Sequence, residues 1–540
     1  MLNYIWLALL FLGIGAAVTT DIINQNNDKF RNDKSIPVSI VLKSSSEITS
    51  GGKAEGTLEI SKDSYNSFYN DSIKSDLAYP VTLTFGKDKN KPNIFFRVDK
   101  TSPEILREIA SASGDKDDIT GVVNFSSTGI DSIISGTAVF EEVKFLKLKD
   151  VTNSALDYAG IAVNISLGLI GIMALWLGVM KVAEDAGLIK IIAKVLKPIT
   201  KRLFPDVPGD HPAMGSMIMN ISANMLGLGN AATPFGLKAM EELEEINPEK
   251  GTATNAMCTF LAINTAGMTL IPATAIAIRA AAGSSEPAII IGTSLFGSAC
   301  ATIAGVTAAK LFEKFPIRKG EFSNWFNSNV KLFLILGGII LAAALFIFSG
   351  VGKVVGSVVS PGFIKNIIEG FSIIAIPLLI VVFLGFGLVK KVPLYERFVE
   401  GAKEGFNIAV KIIPYLVAML VAIGIFRAGG AMEWLIKILK PITDFIGMPA
   451  EALPMALMRP LSGSGSLGIM SEIISVHGPD SFLGIMVSTF YGSTETTFYV
   501  LALYFGAVNI KRTRHAVPAG LVADVVGILA AVLIVRLLFG

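Results

Sequence analysis

The chain has 540 residues, of which 52% are hydrophobic and 17% charged, and its formal net charge is +2. This composition excludes an ordinary soluble globular protein and gives no reason to expect a nucleic-acid partner. Two cysteines and three histidines are too few and too scattered to predict a disulfide framework or a metal centre. The hydrophobic composition instead predicts a polytopic α-helical protein in the lipid bilayer. We expect no cofactor, and because the sequence lacks a Walker loop we do not expect transport driven by ATP.

The first apolar segment, Tyr4 to Val18, has no basic residue ahead of it. A signal peptide normally begins with a positively charged region, so an uncleaved transmembrane helix over residues 1–20 is favoured over a signal peptide.

Residues 21–150 are polar and contain short runs of alternating hydrophobicity, which are typical of half-buried strands. We expect a small, mainly β soluble insertion without a catalytic grouping, which serves as a scaffold or binds a partner in the cell envelope. One short helix is expected at Pro103–Ile109. The predicted strands are Ile36–Leu42, Thr57–Ile60, Val81–Phe85, Ile94–Val98, Val122–Phe125 and Thr137–Phe140.

Eight further apolar spans follow the insertion, and they are centred near Ile170, Leu261, Ala299, Gly338, Leu379, Leu420, Ser493 and Ala530. Two stretches between them, His211–Met240 and Leu453–Val476, consist of two short apolar runs around a polar tip, which predicts re-entrant hairpins. The distribution of Lys and Arg then predicts nine crossings of the bacterial cytoplasmic membrane, with the N-terminus inside and residues 21–150 outside.

An internal repeat is carried by the pentapeptide LKPIT, which occurs at 196–200 and again at 439–443. In both copies a spanning helix precedes the motif, and a hairpin, a broken helix and a final span follow it. The predicted topology turns the two copies in opposite directions, so residues 151–320 and 401–540 are expected to be inverted repeats linked by helices in 321–400. This architecture is typical of secondary transporters.

The most informative stretch is Ser481–Phe505, which is long enough to span a bilayer but carries Glu495 and several hydroxyls near its middle. We expect this helix to unwind at 492–496, and a matching helix to unwind at 264–267. The hairpin tips are expected at 227–230 and 462–466. The candidate substrate-binding residues lie at or next to these four discontinuities: Asn220, Asn224, Gly229, Asn230, Asn264, Thr265, Arg459, Ser462, Ser464, Ser466, Ser493, Thr494, Glu495 and Thr496.

Two of these residues are charged. Glu495 is expected to bind a coupling proton or cation, or to accept hydrogen bonds from hydroxyls or amines of a substrate. Arg459 is expected to pair with Glu495, with Glu472 or with an anionic substrate. The alternative for the small and hydroxyl residues is close helix packing, and Asp524 in the last span is interpreted as a helix-packing polar group.

Several motifs resemble known families. FPDVPGDHPAMG, GLGNAATPFGLKAM and TFLAINTAGMTLIPAT are similar to spore maturation protein A, whereas MRPLSGSGSLGIM and STFYGSTETTFYVLALYFGAV are similar to spore maturation protein B. These are normally separate chains, so the sequence resembles a natural fusion of the two, and the insertion departs from the pattern. The resemblance implies the nucleoside recognition, or gate, domain, which also occurs in concentrative nucleoside transporters and the ferrous-iron permease.

Two functions remain open. One is a secondary transporter for a small polar solute such as a nucleoside, an amino acid or a small carboxylate. The other is a non-transporting membrane scaffold or sensor whose outer domain recruits envelope partners. An enzyme is not predicted, because the residues supply no nucleophile with a base and an orienting group. A polar central cavity would favour transport, and tight apolar packing around Glu495 would favour the scaffold; a homo-oligomer is compatible with both.

Overall fold

A computed structural model describes residues 2–43, 52–86, 88, 90–113, 117–126, 133–313 and 361–540, together with isolated residues between 323 and 338. The chain divides into two compact units. The smaller comprises residues 7–156 and 424–434, and the larger comprises 1–6, 157–423 and 435–540.

Helix α1 is Leu2–Asn26, and the smaller unit contains this helix from residue 7 onward. It also contains a closed antiparallel barrel of six strands. Each strand pairs with the next, and the last closes the barrel against the first, with Ile36 opposite Ala138. Helices α2 (Lys62–Tyr69) and α3 (Glu104–Ser113) lie between strands. The strands are β1 (Ile36–Leu42), β2 (Lys53–Ile60), β3 (Leu77–Thr84), β4 (Asn93–Arg97), β5 (Asp118–Phe125) and β6 (Ile133–Phe140).

The barrel core is built from every second residue of these strands, because side chains alternate between the two faces of a sheet. Ile40, Leu58, Leu83 and Phe96 are among its fully enclosed members. The predicted mainly β insertion and its six strands are therefore confirmed. Helix α2 was not predicted, and it depends on a local cap in which the Ser61 hydroxyl accepts a hydrogen bond from the Ser64 N–H at 3.2 Å.

In the described residues after the barrel the α-helices are α4 (Leu146–Asp185), α5 (Leu188–Leu203), α6 (Pro212–Met225), α7 (Gly229–Glu245), α8 (Asn255–Ala266), α9 (Ala273–Ala281), α10 (Ile290–Glu313), α11 (Pro361–Val389), α12 (Leu394–Ala428), α13 (Ala431–Ile446), α14 (Leu453–Met458), α15 (Gly463–His477), α16 (Phe482–Ser493), α17 (Thr497–Ala507) and α18 (Ala516–Phe539). The chain is thus a mainly helical polytopic membrane protein with a small β-barrel insertion.

Five described helices are long and apolar enough to cross a bilayer: α1, α4, α10, α12 and α18. Helix α4 has 40 residues, or about 60 Å at 1.5 Å per residue, roughly twice the hydrocarbon thickness. The span expected near Leu379 corresponds to α11, whose apolar part is Ile373–Val389. The span expected near Gly338 lies outside the continuously described residues, so the count of nine crossings stays a prediction.

The two helices that were expected to unwind are interrupted. Helix α8 ends at Ala266, and Gly267 follows in the left-handed conformation with φ of 59°. Pro272, which has no N–H to continue a helix, precedes α9. In the second case α16 ends at Ser493 and α17 begins at Thr497.

Two pairs of short consecutive helices lie where hairpins were predicted. The turn between α6 and α7 is 226–228, and the turn between α14 and α15 is 459–462. Both turns come earlier than expected. Gly229 and Asn230 therefore belong to α7, and Ser464 and Ser466 belong to α15. The order after each LKPIT motif is the same in both halves: a pair of short helices, an interrupted helix and a long helix. The inverted relation of the halves and the re-entrant path of the hairpins stay predictions.

Candidate functional site

The two interrupted helices meet at their breaks. The N–H of Glu495 donates a hydrogen bond to the carbonyl of Thr265 at 2.9 Å. A Cβ atom placed on Gly267 would lie 2.7 Å from Cγ of Glu495, so only glycine permits this approach without a shift of the carboxylate. The helix interruptions free backbone groups, and the breaks use some of these groups to bind one another.

Each interrupted helix also contacts the short helix pair of its own half. In the first half the Leu270 N–H donates to the carbonyl of Met225, the last residue of α6, at 2.7 Å. In the second half the N–H of Phe498, at the start of α17, donates to the carbonyl of Pro460 at 3.0 Å. Backbone hydrogen bonds therefore connect residues at or next to all four discontinuities.

Arg459 holds the second break. Its side chain is 2% exposed, and Nη2 donates to the carbonyl of Tyr491 at 2.8 Å and to the carbonyl of Thr494. The guanidinium also lies over the Tyr491 ring, 4.3 Å from its centroid, and 3.7 Å from the carboxylate of Glu495. A buried guanidinium requires acceptors, and the unwound backbone supplies them. Of the partners expected for Arg459, Glu495 is the one that the structure provides.

A cavity of about 400 Å³ opens beside these breaks. Glu495 points into it with 52% of its side chain exposed, so this carboxylate is not enclosed by apolar packing. The polar and charged lining of the cavity comes from both breaks and from α4, α6, α9, α12 and α16. These residues are Lys181, Glu184, Asn224, Thr269, Thr274, Glu404, Tyr491, Thr494 and Glu495.

The lining contributed by α4 and α12 was not predicted. On α4, Trp176, Leu177, Lys181 and Glu184 recur at helical spacing and form one face of the cavity. Lys181 lies 3.3 Å from Glu184. The mixture of apolar and charged residues on one face of α4 was a usable signal, because a charge on a buried helix face needs a polar environment.

The asparagines of the predicted site have two roles. Asn224 lines the cavity and donates to Oδ1 of Asn264 at 2.9 Å, and Asn264 donates in turn to the carbonyl of Phe260. Asn220 is fully buried and ties α6 to the carbonyl of Ala232 at 2.8 Å. Asn220 therefore holds two helices together and does not line the described cavity. The side chain of Asn230 lies outside the described residues, and Gly229 is the first residue of α7.

Most of the predicted hydroxyls bond to nearby backbone. Ser462 caps α15 by accepting from the Gly465 N–H at 3.0 Å, and Ser464 lies 3.4 Å from the Ser462 hydroxyl. Ser466 and Ser493 donate to carbonyls four residues earlier at 2.8 and 2.6 Å.

The side chains of Thr265 and Thr496 are also buried. Of the residues chosen from sequence, the described cavity is lined by Asn224, Thr494 and Glu495.

Comparison with known proteins identifies the family. A family model described as Gate, nucleoside recognition, matches residues 166–282 and 409–511. Spore maturation protein B of Bacillus subtilis (strain 168) is 53% identical over 175 residues, which are 32% of this chain and 98% of that protein. The chain belongs to the nucleoside recognition, or Gate, family. Spore maturation protein A of the same organism is 43% identical over 174 residues, which are 32% of this chain and 89% of that protein.

The match is consistent with the architecture of a Gate protein that carries its characteristic segment twice. Each matched segment contains one LKPIT motif, one turn between short helices and one helix break. The barrel insertion lies outside both segments.

Proposed function

We propose that this Gate protein is a secondary transporter for a small polar solute, and that the solute binds where the two helix breaks face the cavity. The observation that carries the proposal is the half-exposed carboxylate of Glu495, which lies at the junction of both breaks and lines the cavity. A scaffold would bury this carboxylate or have no acidic residue at this position, because an acidic residue within a spanning segment is costly unless it has a function. In this proposal the two halves are inverted repeats, residues 21–150 lie outside, and the N-terminus lies inside.

The charge of the cavity narrows the class of solute. Three glutamates line the described cavity, Glu184, Glu404 and Glu495, and the one lysine among its described lining residues is Lys181. Three carboxylates against one ammonium disfavour a small anion and favour a neutral or cationic solute. A volume of about 400 Å³ is within the usual range for sites that bind small molecules. A nucleoside-like solute meets both conditions, and the family description also suggests it.

Glu495 accepts hydrogen bonds from the solute in this proposal. Its exposure to the cavity leaves the carboxylate accessible to a solute, and Arg459 at 3.7 Å orients it. A hydrogen bond to a charged group contributes about 1.5–3 kcal/mol, so loss of the charge is expected to weaken binding about tenfold or more.

Purified protein tests the proposal with uridine, alanine and succinate as probes, first by the shift in melting temperature and then by uptake of the radiolabelled probe into proteoliposomes. We expect uridine to raise the melting temperature of the wild type and to enter the vesicles. In Glu495→Gln we expect uridine binding and uridine uptake to be at least tenfold weaker, while the melting temperature without uridine is unchanged. Ser464→Ala is the matched control, because that hydroxyl lies on α15 outside the described cavity lining.

Three results would each contradict one part of this proposal. A protein that binds and moves none of the three probes would favour the scaffold. A melting temperature that falls in Glu495→Gln without any change in probe binding would make the carboxylate a structural partner of Arg459. Preferential binding of succinate would contradict the charge argument.

A further inference from the structure

A second carboxylate lies behind the second break. Asp524 is on the spanning helix α18 and is 1% exposed. The Thr497 hydroxyl donates to its Oδ2 at 2.6 Å, and its Oδ1 has no hydrogen-bond partner among the described residues. An ionised carboxylate normally accepts several hydrogen bonds when it is buried. Asp524 therefore has too few donors for a stable negative charge.

The helix face around Asp524 is made of small residues. Gly520 and Gly527 share its face of α18, because they lie four residues before and three after it. Ala523 packs with Ala266 and Ala301 in a cluster of buried alanines. A Cβ on Gly520 would lie 2.8 Å from Cγ2 of Thr497, so the helices approach closely. Of the two hydroxyls near Gly520, that of Thr265 donates to the carbonyl of Ala262 and that of Thr497 donates to Asp524. One donor is fewer than a buried anion needs.

No described side chain forms an ion pair with Asp524. Arg459 and Glu495 are the charged groups that act on it, and Nη2 of Arg459 donates to the carbonyls of Tyr491 and Thr494 and lies next to Glu495, not Asp524. On the neighbouring α10, Lys310 and Glu313 pair with each other at 3.1 Å. The other described titratable side chains on α8, α10, α16 and α17 are two thiols and three phenols, those of Cys258, Cys300, Tyr491, Tyr499 and Tyr504.

We propose that Asp524 is a buried proton-binding site, in which a proton from the aqueous side binds Oδ1 and the resulting neutral carboxyl group keeps its hydrogen bond from Thr497. Thr497 is the first residue of α17, directly after the break that carries Glu495. Ionisation of Asp524 therefore favours a different arrangement of the break, which brings donors or water to Oδ1. The use of this proton to drive transport rests on the proposed function, whereas the protonation itself does not.

Infrared spectroscopy of the purified protein tests the protonation directly, because a protonated carboxylic acid has a C=O stretching band that a carboxylate lacks. We expect this band at neutral pH in the wild type and in the control Glu495→Gln, and its loss in Asp524→Asn. If Asp524→Asn does not fold, Thr497→Val replaces it, since removal of the hydrogen bond should shift the band.

A band that is unchanged in Asp524→Asn or in Thr497→Val would overturn the proposal. A melting temperature that rises with sodium in the wild type but not in Asp524→Asn would also overturn it, since the carboxylate would then bind a metal cation.

Uptake of uridine into proteoliposomes under an imposed pH gradient tests the coupling. The wild type is expected to accumulate uridine, and Asp524→Asn is expected not to raise the internal concentration above the external one. Uphill accumulation in Asp524→Asn would overturn the coupling role. If the wild type takes up no uridine while the infrared band is lost in Asp524→Asn, transport of uridine fails and the proton site stands.

Discussion

The two interrupted helices have the same architecture but are stabilised by different chemistry. The gap between α8 and α9 contains no charged residue, and it is held by the left-handed Gly267, by a hydrogen bond from the Thr269 hydroxyl to the carbonyl of Gly267 at 2.9 Å and by the Leu270 N–H. The gap between α16 and α17 is held by the buried charge of Arg459. The first break thus depends on backbone conformation, and the second depends on electrostatics and on one side chain.

This difference assigns separate tasks to the two breaks. We expect the neutral break to present a fixed backbone surface to the cavity. The charged break places Glu495 on the cavity and contacts, through Thr497, the proton-binding site proposed at Asp524 of α18. Substitutions at the second break, at the first break and at the far ends of both helices distinguish the two kinds of stabilisation.

Removal of Arg459 is expected to have the largest effect. Arg459→Ala leaves the carbonyls of Tyr491 and Thr494 without their donor, and unsatisfied buried groups cost about 1–3 kcal/mol each. We expect a loss of about 2–4 kcal/mol in stability, measured as the melting temperature of the purified protein. Arg397→Ala is the control, because that side chain is 43% exposed and its surface ion pairs contribute about 1 kcal/mol at most. Equal melting temperatures for the two variants would show that charge does not hold the second break.

Substitution of Gly267 tests the first break. Gly267→Ala places an L-residue at φ of 59° and puts its Cβ 2.7 Å from Cγ of Glu495, with a conformational cost of about 1–2 kcal/mol. Gly283→Ala is the matched control, since its φ is 79° but nothing lies within 4 Å of the added Cβ. We expect both variants to lose a similar amount of stability, because both place an L-residue at positive φ. Only Gly267→Ala is expected to lose uridine binding. Unchanged binding in both variants would separate the first break from the site.

The sequence was sufficient to predict both breaks, because glycine, proline and clustered hydroxyls within apolar segments act locally on helix continuity. It was less informative about which polar groups face the cavity. Ser462 and Ser466 bond to their own helix end, and a sequence does not distinguish such a cap from a ligand-binding hydroxyl.

The features that were missed depend on contacts between distant segments. The α4 face with Lys181 and Glu184 becomes cavity lining only when α4 packs beside both breaks, and the stacking of Arg459 on Tyr491 joins residues from α16 and the turn before α15. Barrel closure likewise needs β1 and β6 to pair across about a hundred residues. Alternating hydrophobicity predicts strands but does not identify their partners.

The smallest effect is expected at the ends of the interrupted helices that lie away from the breaks. Arg279 at the end of α9 donates to Asp480, which precedes α16, at 2.9 Å. Burial raises the pKa of Asp480, but hydrogen bonds from Ser284 and Ser285 and the charge of Arg279 outweigh it, so the pKa lies below its ordinary value of 3.8. The ionised carboxylate therefore stabilises the fold above that value, and this stabilisation is lost as the pH falls through the lowered pKa.

We expect the melting temperature of the wild type to fall below about pH 4 by more than that of Asp480→Asn. The difference should correspond to less than about 1 kcal/mol, because the carboxylate is 41% exposed. Asp444→Asn, an exposed change on α13, is the control and should follow the wild type. If Asp480→Asn also follows the wild type at every pH, the carboxylate does not hold these helix ends together.

The closed barrel brings the two ends of the insertion side by side. β1 and β6 are neighbours, and beyond them Asn32 exchanges two hydrogen bonds with the backbone of Val143, each at 3.0 Å. Asp21 accepts from the N–H groups of Lys147 and Leu148 at the start of α4, each at 2.9 Å. The insertion therefore begins and ends at adjacent positions. Adjacent ends allow one domain to be inserted into another without separating the host segments.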